Sequence, residues 1–468
     1  MSSAAINRSK PLTGKWRWIA LLPVLAFVAY SVRANVGWAS RGVWILITFY
    51  SLAALSLAYI DVSGVLWRRF THLSPAKGRV IAIVPAYNED TELLHAAVRS
   101  LTNQTVLPDE IHVMDDGSEF PVEPFDHPLV TWHYQTNQGK RHAQANILKT
   151  FSPNAWDFIL TVDSDSVCDP DALEEMLRSM SDPRVQASTG MILVRNWRKN
   201  LWTRLTDINV VTSCLLFRMA RSWLGVVTPT SGALAIYRAA VVYDNLDDYV
   251  SSGTAGDDRR LSFYALLRGQ VVGVPEAVVE TKLPETWSGI FTQRMRWSKS
   301  AWLGIPFVLK NIRMLALVCY MYPLIFALMW PFAVAVLLKI SADKGTPTVL
   351  YAVLFWMVVA VTQTAIYAIY RPSFTARDRW TQWLISPLYP ILGLLILRPA
   401  AYWALTKLRS TSWHTRQDRT LVLETKRHRA RSTALIDDDG MVGSQAPPLV
   451  VPTTPFDPQQ KTSQPRSD

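Results

Sequence analysis

The chain has 468 residues, 49% of them hydrophobic, with 19 tryptophans and a formal net charge of +11. This length allows one sizeable soluble domain with several apolar spans and excludes a large multidomain assembly, while the apolar fraction argues against an ordinary soluble enzyme. The basic residues stand beside apolar runs (Arg68-Arg69, Lys407 and Arg409, Lys426 to Arg431), which suits cytoplasmic flanks of membrane spans rather than a nucleic-acid groove.

Residues 1–15 are polar and basic and read as a cytosolic N-terminus. Two apolar runs follow, Trp16 to Val32 and Gly42 to Ile60, and predict two transmembrane helices within 16–60. No small-residue cleavage site follows the first run, so it reads as an anchor rather than a removed signal peptide. Arg68, Arg69, Lys77 and Arg79 then place the next segment on the cytoplasmic side. Three scattered cysteines, Cys168, Cys214 and Cys319, form neither a metal spacing nor a disulfide framework, as expected in a reducing compartment.

From Arg79 to about Ser300 the pattern changes to short apolar runs alternating with helical periodicity. Strands are expected at Val80–Pro85, Glu110–Met114, Leu129–Tyr134 and Phe158–Val162, and helices at Thr91–Leu101, Gly139–Phe151 and Asp171–Met180. That order predicts an α/β domain with a mostly parallel sheet covered by helices on both faces. Ligands of such sheets sit beyond the carboxyl ends of the strands. Asn88-Glu89-Asp90, Asp115-Asp116-Gly117 and Asp163-Ser164-Asp165 all fall there.

Beyond the soluble domain, Ser298 to Arg313 mixes Trp302, Phe307 and Leu309 with Lys299, Lys310 and Arg313 and reads as a helix lying in the membrane interface, within 299–313. Three apolar stretches follow inside 314–405: Met314–Ile340, Val349–Tyr370 and Trp383–Leu405. Three crossings would put the basic segment 406–431 outside, against the positive-inside bias. Pro387, Pro390 and Pro399 therefore suggest a broken or re-entrant element in the last stretch. Residues 432–468, rich in Pro, Gln, Ser and Thr, read as a disordered tail.

Asp163 and Asp165 can hold a hard divalent ion that neutralises a diphosphate, although an Asp-x-Asp alone is a weak signal. Asp115 and Asp116 offer acceptors to a nucleoside. Asn137-Gln138-Gly139-Lys140-Arg141 sets two cations at a helix start, which suits phosphate groups or is simply a solvated helix end. Tyr87 could stack on a base or belong to the core. Asp258, between Asp257 and Arg259, is a candidate general base tuned by its neighbours, or a helix cap. Downstream, Trp297 can stack on a sugar ring and Arg296 can neutralise a diphosphate leaving group.

In this order the motifs Val84-Pro85-Ala86-Tyr87-Asn88-Glu89, Asp115-Asp116-Gly117, Asp163-Ser164-Asp165, Gly256-Asp257-Asp258-Arg259 and Gln293-x-x-Arg296-Trp297 resemble the membrane-embedded processive family 2 glycosyltransferases of the hyaluronan, chitin and cellulose synthase group. Among these the chain is most similar to hyaluronan synthases, over residues 42 to 416. Ser231-Gly232-Ala233-Leu234 resembles their Ser-Gly-Pro-Leu, and Trp413-His414-Thr415-Arg416 their Trp-Gly-Thr-Arg, which requires a cytoplasmic C-terminus.

The resemblance implies a cytosolic GT-A (Rossmann-like) glycosyltransferase domain over 74–298, joined to an α-helical transmembrane region. It implies a UDP-sugar donor held by Tyr87, Glu89, Asp115, Asp116, Lys140 and Arg141, with Asp163, Gln293, Arg296, Trp413 and Arg416 near the diphosphate. Asp165, with Asp163, would bind Mn²⁺ or Mg²⁺. Asp258, beside Asp257, would be the base, while Trp297, Ser231 and Gly232 would meet the acceptor. The implied product is a β-linked polysaccharide such as hyaluronan, made from UDP-N-acetylglucosamine and UDP-glucuronate and passed through the protein's own channel in the bilayer. Arg294 stands where hyaluronan synthases have a second Gln and is similar to poly-N-acetylglucosamine synthases; Ala233 replaces Pro and His414 replaces Gly. The alternatives are a chitin-oligosaccharide or poly-N-acetylglucosamine synthase using one donor, and a non-processive transferase acting on a lipid carrier.

Overall fold

A computed structural model describes residues 69–252, 256–344, 357, 360–361 and 363–409. The two N-terminal apolar runs, the Trp413 to Arg416 motif and the tail lie outside the described residues.

The first half of the sheet follows the expected alternation. β1 (Val80–Ala86) is buried along its whole length. Its even-numbered residues Val80, Ala82 and Val84 face one core with Leu94, Val98 and Leu173, and its odd-numbered Ile81 and Ile83 face a second core with Ile147, Leu148 and Tyr264. A strand buried on both faces reads as a continuous apolar run, as this one does. α1 (Thr91–Thr102) starts where the Asp90 carboxylate accepts the N–H groups of Glu92 and Leu93, a cap that contributes about 1 kcal/mol. It buries Leu94, Ala97, Val98 and Leu101, one face of a helical period. β2 (Glu110–Asp115), β3 (Val130–Tyr134), α2 (Lys140–Leu148), β4 (Phe158–Thr161), β5 (Ser166–Cys168) and α3 (Ala172–Met180) follow in turn.

The second half is β6 (Val185–Val194), α4 (Leu201–Thr212), a π-helical turn (Ser213–Arg218), α5 (Met219–Leu224), β7 (Ala235–Arg238), α6 (Ala239–Tyr243), α7 (Leu246–Ser251), α8 (Asp257–Arg268) and β8 (Gln270–Thr281). All strands join one eight-stranded sheet in the order β3-β2-β1-β4-β7-β6-β8-β5. The expectation of a mostly parallel sheet holds for β1 to β4 and needs correction beyond them. β7 runs antiparallel to both β4 and β6, β5 antiparallel to β8, and β6 parallel to β8, so the sheet is mixed. This reversal matters for the site. With Ala235 opposite Thr161, the segment leading into β7 lies at the carboxyl end of β4.

α9 (Trp287–Asn311) is a single helix of 25 residues that carries both the Gln293 to Trp297 box and the predicted interface segment. α10 (Met314–Lys344) and α11 (Ala376–Thr406) are each long and apolar enough to cross a membrane, judged by length and composition. α11 has 31 residues and spans about 46 Å at 1.5 Å per residue. Its α-helical hydrogen bonding is interrupted twice. Its prolines sit beside a 3-10 turn at Ser386–Leu388 and a π turn at Gly393–Leu397, irregularities that accommodate the missing N–H groups without reversing the chain. Phe332 on α10 and Leu384 on α11 are 67% and 68% exposed, an outward apolar surface suited to lipid.

A buried ion pair joins the soluble domain to this region. Arg371 Nε donates to Asp207 Oδ2 of α4 at 2.8 Å and its Nη2 to Oδ1 at 3.1 Å. Tyr367 also donates to Asp207, and the Arg371 guanidinium stacks on Phe374.

Candidate active site

The carboxyl ends of β1, β2 and β4 and the start of β7 meet at one edge of the sheet, and hydrogen bonds fix their loops to one another. The Asn88 N–H donates to Ser118 Oγ at 2.8 Å, and the Glu119 N–H donates to Asn88 Oδ1 at 2.7 Å. Ser164 Oγ donates to Glu89 Oε2 at 2.7 Å, so Glu89 joins the first loop to the third. Tyr87 is half-buried at the same edge. Gly117 makes the turn after β2 at φ +76°, and a Cβ there would lie 2.6 Å from the Asn137 nitrogen, so glycine is required.

The two acids of the second loop have different surroundings. Asp116 is buried and its carboxylate accepts Gln135 Nε2 at 2.6 Å and the N–H groups of Gln138 and Gly139 at 2.9 and 2.8 Å. It therefore shapes the loop that presents Lys140. Asp115 accepts the Ser118 N–H at 2.8 Å, and burial raises its pKa above the ordinary value.

Lys140 opens α2, and its Nζ reaches Asp163 Oδ1 at 2.6 Å and Asp257 Oδ2 at 2.9 Å. Burial works against the ammonium, but the two carboxylates outweigh it and hold its pKa well above the ordinary value. Gly232 closes the other side. A Cβ there would come within 3.0 and 3.1 Å of the Asp163 oxygens and 3.1 Å of Lys140 Nζ, so only a bare backbone leaves this cradle open. Ser231, next to it, donates its N–H to Thr189 Oγ1 at 2.9 Å.

Arg141, the next residue of α2, turns toward the approach to α8. Its guanidinium donates to Ser252 Oγ at 2.5 Å and to the Gly256 carbonyl at 3.0 Å, which orders the approach to α8. Asp165 is 2% exposed, and its Oδ1 accepts Ser166 Oγ and Thr281 Oγ1, both at 3.2 Å. Of the two acids in Asp163-Ser164-Asp165, the accessible one is thus Asp163, with its side chain 36% exposed. Among the described residues no group of three or more His, Cys, Asp or Glu could hold a metal ion.

α8 begins with Asp257 and Asp258 after Gly256 at φ +90°. A Cβ on Gly256 would lie 2.2 Å from Ser300 Oγ of α9, so the glycine lets the two helices meet. Arg259 Nε donates to the same hydroxyl at 2.9 Å. Asp258 is half-buried. Burial, and then the charge of Asp257, push its pKa up to about 6. For Asp257, burial would also raise the pKa, but Lys140 beside it outweighs this and lowers it. The pair is thereby split into a fixed anion and an acid titrating near neutrality, an arrangement suited to acid–base work. The Asp258 carbonyl accepts Thr230 Oγ1 at 3.0 Å and Ser262 Oγ at 2.6 Å, which fastens the start of α8 to the Ser231-Gly232 segment.

On α9, Trp297 is 39% exposed, Arg296 is half-buried and Gln293 is buried. Arg294 is 9% exposed, its guanidinium lies 4.4 Å from the Trp297 ring centre, and Nε and Nη2 have no hydrogen-bond partner among the described residues. Burial lowers its pKa to about 10. Trp413 and Arg416 lie outside the described residues. Thr230, Ser262 and Ser300, which hold Asp258 in place, carry no motif of their own; the glycine before the Asp pair was the one signal that two backbones meet here.

The fold matches that of a mannosyltransferase from Pyrobaculum calidifontis solved with GDP-Man and Mn²⁺, with a TM-score of 0.52 at 18% identity over 83% of this chain and all of that one. The architecture is thus GT-A, the class of sheet-edge glycosyl-transfer folds. Residues 76–300 match the model of the glycosyltransferase like family 2. Over 427 residues the chain is 31% identical to a hyaluronan synthase of Streptococcus pyogenes serotype M3, covering 86% of this chain and 97% of that protein. An N-acetylglucosaminyltransferase of Neorhizobium galegae is 30% identical over 72% of this chain and 80% of its own. The chain belongs to the family 2 glycosyltransferases, and within that family it is similar to hyaluronan synthases.

Proposed function

We propose that this enzyme is a processive, inverting glycosyltransferase that polymerises UDP-N-acetylglucosamine and UDP-glucuronate into a β-linked hyaluronan-type polysaccharide. The observation that carries the chemistry is Asp258, whose pKa of about 6 lies at the junction of the donor-side loops and the Trp297 helix. An acceptor sugar stacks on Trp297, and Asp258 takes the proton of its hydroxyl. The hydroxyl oxygen forms the new bond to the anomeric carbon as the bond from that carbon to the diphosphate breaks, and UDP leaves with the electron pair. Asp115 and Tyr87 address the nucleoside, while Lys140 and Arg296 meet the diphosphate charge. Asp116, Glu89 and Arg141 act by holding these loops.

A divalent ion fits this edge in part. The Asp163 carboxylate is a hard donor facing the open Gly232 cradle, while Asp165 is closed in by its two hydroxyl partners, so Asp163 and the donor's own oxygens would make the ligand set. Mn²⁺ or Mg²⁺ bound there would neutralise the diphosphate leaving group. α10, α11 and the N-terminal apolar runs would embed the enzyme as a multi-pass membrane protein, with the catalytic domain and C-terminus cytoplasmic and the product leaving between the helices.

The test is synthesis by membranes carrying the protein, offered each UDP-sugar alone and both together. High-mass, hyaluronidase-sensitive product only from the pair supports the proposal. Polymer from UDP-N-acetylglucosamine alone would replace it with a homopolymer synthase, a reading favoured by Arg294 and by the N-acetylglucosaminyltransferase relative. A single sugar on extractable lipid would indicate a non-processive transferase.

A further inference from the structure

We infer that Arg259 is a positioning residue for Asp258 and that Tyr320 of α10 holds Arg259 in place, so that a helix long and apolar enough to cross a membrane fixes the charge beside the base. This rests on the reading of Asp258 as the base that takes the acceptor proton.

Asp258 and Arg259 are neighbours at the start of α8, and the Arg259 N–H donates to Asp258 Oδ1 at 2.7 Å. The half-buried side chain of Arg259 then leaves α8 for two other helices. Its Nε donates to Ser300 Oγ of α9 at 2.9 Å, and its guanidinium carbon lies 5.8 Å from the centre of the Tyr320 ring, within the range of a cation–π contact. Tyr320 is itself held from two sides. Its hydroxyl donates to the Ala301 carbonyl of α9 at 2.5 Å, and its ring meets that of Phe263 of α8 edge-on at 5.5 Å. Gly304 of α9 makes room for it, since a Cβ there would collide with the Tyr320 hydroxyl and the Phe263 ring. Phe263, Val308 and Tyr320 form one small buried core, so the corner where α8, α9 and α10 meet is closed beside the guanidinium.

This placement matters because Asp258 accepts a proton only when it is ionised. Burial and the charge of Asp257 oppose its ionisation, whereas Arg259, ahead of Lys140, favours it. These groups and Tyr237 of β7 are the charged and titratable neighbours of Asp258. Lys140 is already shared by Asp163 and Asp257. Arg259 is therefore the cation whose removal leaves Asp258 least able to hold its charge. Tyr320 acts on the base through Arg259, by keeping the guanidinium from turning out to solvent.

The test reads polymer synthesis against pH in membranes carrying the full-length protein and offered both UDP-sugars. R259M, which keeps an apolar stem and removes the charge, should move the acid limb of kcat/KM up by about one pH unit. R259K restores the charge and should bring the limb back to that of wild type. Y320L should lower kcat about tenfold with the donor KM unchanged, and R259M/Y320L should be no worse than R259M, as expected of two residues that act in series. An unmoved limb in R259M, or losses that multiply in the double variant, overturns the inference and leaves Asp258 as the base. Where R259M makes too little product, the melting temperature of the purified protein decides. Its deficit against wild type should be larger at pH 8, where Asp258 is ionised, than at pH 4, where the folded chain holds it protonated; an equal deficit at both pH values overturns the inference. Polymer synthesis by D258N, or none by wild type from either sugar or both, overturns the reading on which the inference rests and the inference with it.

Discussion

Replacing Asp258 with Asn separates the proposed catalytic role of this carboxyl from its cost to the fold. Its pKa rises from an ordinary 3.8 to about 6. Below 3.8 the group is protonated in both the folded and the unfolded chain and costs nothing; above about 6 the folded chain must hold an anion it disfavours. That difference corresponds to at most about 3 kcal/mol of lost stability at pH 8, fading as pH falls through the same window. D258N removes the charge and keeps an oxygen able to accept the Arg259 N–H, now at 2.7 Å from Asp258 Oδ1. We expect the variant to lose transfer while melting up to about 6–12 °C above wild type at pH 8 and close to it at pH 4, at about 2–4 °C per kcal/mol for a domain of this size. Wild-type kcat/KM should fall about tenfold per pH unit below 6. Polymer synthesis by D258N would refute the assignment of the base. A melting gain that is absent, or the same at both pH values, would refute the electrostatic account.

Three further substitutions test the surroundings. G232A should weaken UDP binding about tenfold with little change in melting temperature, because the new methyl would meet the ends of Asp163 and Lys140 rather than backbone; isothermal titration with UDP and Mn²⁺ decides. R294M should raise stability by about 1–3 kcal/mol in chemical denaturation, since it removes a buried guanidinium with two nitrogens unpartnered among the described residues at the loss of a ring contact; a loss of stability would mean that the guanidinium has a partner in the segment outside the described residues. R371M should cost about 3–5 kcal/mol by leaving Asp207 buried without its cation, and the double variant with D207L should recover most of it.

The parallel half of the sheet was legible because a strand buried on both faces leaves an unbroken apolar run, and Val80 to Ala86 and Phe158 to Thr161 are such runs. β6 and β8 are mostly buried, yet β6 contains Gln186, Ser188 and Thr189 and β8 contains Pro275 and Glu276, which interrupt the pattern. Their pairing also depends on the antiparallel β7 between β4 and β6, a long-range choice that periodicity does not encode. Of the site, the acids could be found because they follow strand ends. Their division of labour could not. Asp116 faces backbone N–H groups and Asp163 faces a lysine for reasons set by the β3 to α2 loop and by Gly232, both distant in sequence.

α9 links the candidate site to α11, a helix long and apolar enough to cross a membrane, through packing alone. Its Ser300 hydroxyl touches the start of α8 through Arg259, one turn from Trp297, so Trp297 and Asp258, the proposed acceptor platform and base, are positioned against each other through this contact. Farther along the same helix, Trp302 Nε1 donates to the Ala401 carbonyl of α11 at 3.1 Å, and Met295 and Trp302 share a core with Ala400 and Ala404. A shift of α11 that carried α9 past the start of α8, against the Arg259–Ser300 contact, would displace Trp297 relative to Asp258. Because transfer needs the acceptor hydroxyl within hydrogen-bond reach of its base, an error of about 1 Å there lowers the rate sharply. Under the proposed mechanism the contacts that seat α9 on α11 thus bear on transfer although none of them touches the site.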